Sequence, residues 1–174
     1  MIKTITILLF LILIISTKSF SAGSGDNSGS SGDSGGEGNS IKIKTNYQKA
    51  VAHIKQAKNY EKKDKNKKAQ KKYLKAQKLL LKSNKKKPLQ ADTLNYLGFT
   101  TRKLGDYKKG EEFYLQGLQI EPNHNGINEY LGELYVVTNR MDLAKERLNV
   151  LKNCDCKEYK LLKEIINGTK KSKY

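Results

Sequence analysis

The sequence predicts an all-α fold, a solenoid of about three helical hairpins closed by a C-terminal capping helix. Two observations predict it. Tyr96-Leu97-Gly98 recurs 34 residues later as Tyr130-Leu131-Gly132, and a period of that length belongs to paired-helix repeat units. Between these phrases the apolar and small residues fall at helical spacing and are punctuated by Gly105-Asp106 and Pro122, which close and open helices.

The chain before the helices divides by composition. Lys3 precedes an apolar run of 11 residues from Ile5 to Ile15, followed by Ser16, Ser19, Ser21 and Ala22. That run is short of the ~20 residues of a spanning helix and reads as a cleaved export signal over residues 1–21, an uncleaved anchor being the alternative. Residues 22–40 are almost all Gly, Ser, Asp and Asn, which cannot offset chain entropy by burial, so they read as a flexible linker. The folded domain is expected over residues 41–168, with a basic tail at 169–174. No cysteine follows the apolar run, which argues against a lipid anchor. The expected destination is a bacterial periplasm, with secretion as the alternative.

The first helical unit is read over residues 50–83. Thr45 and Gln48 are placed as a capping box, and Ala57, Tyr60, Ala69, Tyr73 and Ala76 alternate small and aromatic residues. Its second helix is expected to run on through Leu79, Leu80 and Leu81 before Pro88, with an insertion over Asn84 to Gln90. The second unit spans residues 91–124. Leu94, Leu97, Thr101 and Leu104 form its first helix, and Tyr107, Gly110, Tyr114, Gly117 and Leu118 its second. Gly110 and Gly117 allow the helices to cross closely, and Pro122 ends the unit. The third unit, residues 125–158, places Leu131, Gly132, Tyr135, Ala144, Leu148 and Leu151 in the same order. Asn139 and Asp142 fit a helix cap there. Tyr159, Leu162, Ile165 and Ile166 then mark a capping helix over residues 157–167, with Asp155 and Glu158 at its start and Gly168 at its end.

These residues resemble the tetratricopeptide repeat (TPR) family. Its pattern is matched by Leu97, Gly98, Tyr107, Gly110, Tyr114, Gly117 and Pro122, with Leu94 and Thr101 in aromatic positions; in the third unit Asn128 replaces an aromatic and Cys156 stands where proline would be. The resemblance implies a right-handed superhelix whose first helices line an inner, partner-binding groove. The matching groove positions include Lys58, Asn95, Phe99, Arg102, Lys103, Glu129, Glu133 and Val136. Phe99 with Val136 and Val137 is expected as an apolar floor, and Lys58, Arg102 and Lys103 as holders of an acidic group. The family's clamp for a C-terminal carboxylate is not present, because Ile54, Lys58, Tyr96, Gly126 and Tyr130 occupy its places.

Charge is unevenly placed. Residues 41–90 hold 18 Lys against Glu61 and Asp64, a formal +16, whereas residues 91–174 hold 14 basic and 12 acidic residues. Such a field favours anionic partners. Only Arg102, Arg140 and Arg147 are Arg, although bidentate phosphate recognition favours that residue, so a plain solvated face competes.

Cys154-Asp155-Cys156 leaves three readings open. An exported protein with two cysteines favours a disulfide. A metal site lacks ligands, since His53 and His124 are distant in sequence. Two thiols in a turn, with Cys156 at a helix start, is the third. No phosphate-cradling loop or nucleophile elbow is present. His53 and His124 read as surface or turn residues and Glu111 and Glu112 as a solvated helix start, while Asn167-Gly168-Thr169 matches a glycosylation acceptor that has no meaning in a bacterial cell.

No catalytic residue, metal or cofactor is expected. The leading reading is a non-enzymatic scaffold that binds a protein or peptide. The first alternative is an electrostatic adaptor that docks its Lys-rich third on anionic lipid or cell-wall polymer. The weaker alternative is thiol exchange through Cys154 and Cys156. Export argues against nucleic acid as a partner, and oligomeric state is left open.

Overall fold

The structure is a computed structural model that describes residues 44–172. The expected export signal, the linker, the first three residues of the domain and the last two of the tail lie outside the described residues. Among the described residues the fold is all-helical, with seven helices: α1 (Asn46–Glu61), α2 (Asn66–Lys86), α3 (Ala91–Lys103), α4 (Tyr107–Ile120), α5 (Asn125–Val137), α6 (Met141–Val150) and α7 (Lys157–Ile166). None of them is long and apolar enough to cross a membrane.

The helices pack as chain-adjacent pairs, α1 on α2, α3 on α4 and α5 on α6. Each pair leans on the next through α2 against α3 and α4 against α5, while α7 lies on α5 and α6. Small residues set these approaches. A Cβ added at Gly98 would lie 2.5 Å from the Tyr114 ring, and one at Gly110 would lie 3.1 Å from the Gly98 carbonyl oxygen. Gly132 makes the same room for Leu162 of α7. The core forms two clusters. One gathers Ile54, Tyr73, Leu80, Leu97 and Phe99, and the other Tyr114, Ile127, Leu131, Leu134 and Ala144.

Local chemistry explains most boundaries. The Thr45 side chain accepts from the Gln48 backbone N–H, and the Gln48 side chain accepts from the Thr45 N–H, so the capping box forms. Gly105 takes φ +100° and Asp106 then caps α4 by accepting from the Lys109 N–H. Gly168 takes φ +73° just after α7. These left-handed positions suit glycine, which has no Cβ to clash.

Three expectations are corrected. Asn139 does not cap α6: it takes φ 56° just beyond α5, and Arg140 begins α6 with no side-chain cap. Asp155 likewise takes φ 42°, leaving Cys156 as an uncapped start to α7. Asn and Asp tolerate the left-handed conformation that the chain reversals demand, so the backbone uses them there instead. The extension of α2 toward Pro88 runs through Lys86, so the first three residues of the expected insertion, Asn84 to Lys86, are helical. Glu111 is not a solvated helix start: Arg140 donates to both its carboxylate oxygens at 2.8 and 2.7 Å, tying α4 to the start of α6.

Two departures from aromatic positions have structural uses. Thr101 accepts a hydrogen bond from Gln77 Nε2 at 2.8 Å, joining α2 to α3. Asn128 donates to the carbonyls of Pro122 (2.9 Å) and His124 (3.1 Å), which holds the turn before α5.

Candidate groove

The odd-numbered helices share one concave face. Val51, Lys55 and Lys58 of α1, Asn95, Tyr96, Phe99, Arg102 and Lys103 of α3, Gly126, Glu129, Tyr130 and Glu133 of α5, and Glu158, Leu161 and Ile165 of α7 line a groove of about 1520 Å³. Seven of the eight groove residues expected from sequence thus meet in one place. Val136 does not: it packs with Val137 against the second core cluster. The aromatic lining comes instead from Tyr96, Phe99 and Tyr130. The Phe99 and Tyr130 rings stand 5.0 Å apart, centroid to centroid.

Most of the seven are more buried than a surface groove implies. Asn95, Phe99, Arg102, Glu129 and Glu133 are 6%, 1%, 1%, 7% and 4% exposed. The Arg102 guanidinium donates to the Tyr130 carbonyl oxygen at 2.6 Å and to Glu133 Oε2 at 3.1 Å. Its charge is therefore engaged inside the fold. Lys103 pairs with Glu61, which also accepts from the Tyr73 hydroxyl at 2.8 Å. Lys58 donates to the Tyr130 hydroxyl at 3.1 Å and lies 4.4 Å above the Phe99 ring. That arrangement is a cation–π contact reinforced by a hydrogen bond.

Electrostatics along the groove are uneven. Burial pushes the Glu129 carboxyl up to about 8, helped by the charges of Glu133 and Glu158 and opposed by Lys58 and Arg102. The Asn95 Oδ1 atom is buried with no hydrogen-bond partner among the described residues. Toward the rim the charges are positive, with Lys55, Lys62, Lys157 and Lys171 exposed.

Sequence reasoning missed Tyr130 and the contribution of α7. Tyr130 was visible as part of the recurring Tyr-Leu-Gly phrase. Ile165 was assigned to the capping face with Tyr159, Leu162 and Ile166, and Leu161, which faces the groove beside it, was not assigned.

Outside the groove, Cys154 and Cys156 are joined by a disulfide. His124 is the N-cap of α5: its Nδ1 accepts from the Ile127 N–H at 3.1 Å, and its Nε2 lies 3.2 Å from Asp92 Oδ1. Among the described residues no cluster of three or more His, Cys, Asp or Glu has metal-holding geometry.

No family model matches the chain. A stretch of 50 residues is 44% identical to the Sol locus transcriptional repressor of Clostridium acetobutylicum. That stretch is 29% of this chain, which spans about 16% of the length of that relative.

Proposed function

We propose that this chain is a non-enzymatic TPR-type binding module, a right-handed superhelical array that holds an extended segment of a partner protein in its groove. The observation that carries the reading is the groove itself. At about 1520 Å³ it exceeds the ~300–1,000 Å³ of small-molecule pockets. It also runs across α1, α3, α5 and α7, as a trough for a chain would. The 50-residue likeness to the clostridial protein is longer than one 34-residue unit. Nothing of that protein's role as a repressor is carried over.

The test uses groove residues that are part-exposed. Val51→Arg and Leu161→Arg are expected to weaken binding of a partner selected at high salt by at least about tenfold in calorimetry. Leu74→Arg, on the outer face of α2, is expected to leave it unchanged. Equal binding by all three variants sinks the reading.

A second reading rests on a separate surface. From Lys65 to Lys87 the chain carries 11 Lys and no acid, and Leu74 and Leu81 of α2 are 44% and 47% exposed within that stripe. A basic helix face with protruding leucines suits an anionic lipid surface. Co-sedimentation with vesicles rich in anionic lipid is then expected to fall steeply with salt. Binding that ignores salt removes this reading.

A further inference from the structure

Glu129 is the least accounted-for residue of the groove. It is 7% exposed on α5 and lines the trough. Among the described residues no hydrogen bond or ion pair holds its carboxyl. A buried carboxyl without a partner is costly, and an apolar side chain of similar size would serve the fold better. The charges acting on it are Glu133 on its own helix, Glu158 from α7, Lys58 from α1 and Arg102 from α3. The two cations are already engaged, Arg102 with Glu133 and the Tyr130 carbonyl, Lys58 with the Tyr130 hydroxyl.

A second, independent observation lies on the neighbouring helix. Asn95, 6% exposed on α3, lines the same trough with an unpartnered Oδ1. Gly126, one turn before Glu129, lets α5 approach it: a Cβ at Gly126 would come within 2.8 Å of Asn95 Nδ2. The groove thus presents one sealed, unpartnered acceptor, Asn95 Oδ1, and one carboxyl, Glu129, whose oxygens are not sealed off from the trough. A ligand that satisfies both must bring several N–H donors and a positive charge, which an alkylammonium or a guanidinium does. The Tyr96 ring, which lines the same trough, favours a cation further.

We propose that the groove seats one cationic group of its partner segment, an ammonium or guanidinium, against Glu129 and Asn95. The proposal rests on the groove reading and deepens it. The exposed rim lysines Lys55, Lys62, Lys157 and Lys171 repel a uniformly basic ligand. The segment is therefore one in which a single basic group is flanked by acidic residues.

The experiment is an NMR titration of the folded chain, following the Glu129 carboxyl carbon and the Asn95 side-chain amide. The probes are Nα-acetyl-lysine methylamide, Nα-acetyl-arginine methylamide, glycine methylamide with its N-terminal ammonium, and neutral Nα-acetyl-norleucine methylamide. At least one cationic probe is expected to shift both signals saturably and to move the Glu129 midpoint below about 8. Which of the three binds tells a side-chain ammonium, a guanidinium and a chain terminus apart. Glu129→Gln, a near-isosteric change, is expected to lose about tenfold in affinity or more while keeping its amide spectrum. Asn95→Leu is expected to weaken the same probe. The norleucine probe binding as tightly as the cations, no probe shifting Glu129, or Glu129→Gln binding unchanged would each overturn the proposal. If the probes fail while Val51→Arg and Leu161→Arg still abolish partner binding, only the cation site falls. If the probes bind and those variants do not matter, the groove reading falls instead.

Discussion

Arg102 shows how far a residue's surroundings can change its meaning. Its side chain has 0% exposure and bridges α3 to α5 through the Tyr130 carbonyl and Glu133. Removing one member of a buried pair leaves the other charge poorly compensated, so Arg102→Ala is expected to cost about 3–5 kcal/mol in urea unfolding. Arg102→Met combined with Glu133→Leu is expected to recover much of that loss, because both desolvation penalties disappear together. Glu129 has the opposite problem. Its carboxyl is raised from the usual 4.5 to about 8, so the folded state holds its proton across that window while the unfolded state has released it. Stability from this group is therefore highest near pH 4.5 and falls as pH rises to about 8. Glu129→Gln is expected to flatten that slope, raising stability at pH 8 by on the order of 4 kcal/mol and leaving it unchanged near pH 4.5. Thermal melts at the two pH values check both parts, and an unchanged slope would show that Glu129 ionises normally.

At the level of helices, glycine has two different uses that one substitution separates. Gly98→Ala forces a methyl against the Tyr114 ring at 2.5–2.8 Å, where α3 crosses α4. Tyr114 is fully buried and cannot swing aside, so a loss of about 1–3 kcal/mol is expected. Gly105→Ala meets no atom within 4 Å but must adopt φ +100°. Its loss, on the order of 1 kcal/mol, comes from the backbone alone. If the two variants swapped order in chemical denaturation, the close α3–α4 approach would be wrong. The capping box at α1 is a third case. Thr45→Ala removes the acceptor for the Gln48 N–H and is expected to cost about 1 kcal/mol.

At the scale of the described residues as a whole, α7 packs on α5 and α6. Leu162 is fully buried and its branch occupies the space that Gly132 leaves on α5. Leu162→Ala is expected to cost about 2–4 kcal/mol. It should also raise hydrogen exchange in α5 and α6 before α1 and α2, since α7 touches only the former pair. Exchange that rises uniformly would show that the helices unfold as one unit. The groove and the lysine-rich face of α2 are lined by different residues.

Helix number, pairing and crossing points were legible because they rest on local chemistry. The period of Tyr-Leu-Gly, the small residues at Gly98, Gly110 and Gly132, and the caps at Thr45 and Asp106 each act within a turn or two of their own position. Periodicity also assigned Lys58, Asn95, Phe99, Arg102, Lys103, Glu129 and Glu133 to one face. It carried no measure of how deep that face would lie. Depth depends on contacts between residues far apart in sequence, such as Lys58 with Tyr130, which are 72 positions apart. Once α1 and α5 pack on α3 and α7 packs on α5, side chains that a helical wheel shows as exposed lose their water and must find partners within the fold. Arg102 and Glu133 find each other, while Glu129 and Asn95 are left as acceptors inside the groove. Composition and spacing determined the helices and the face; tertiary packing decided how deep that face lies and which of its charges pair within the fold.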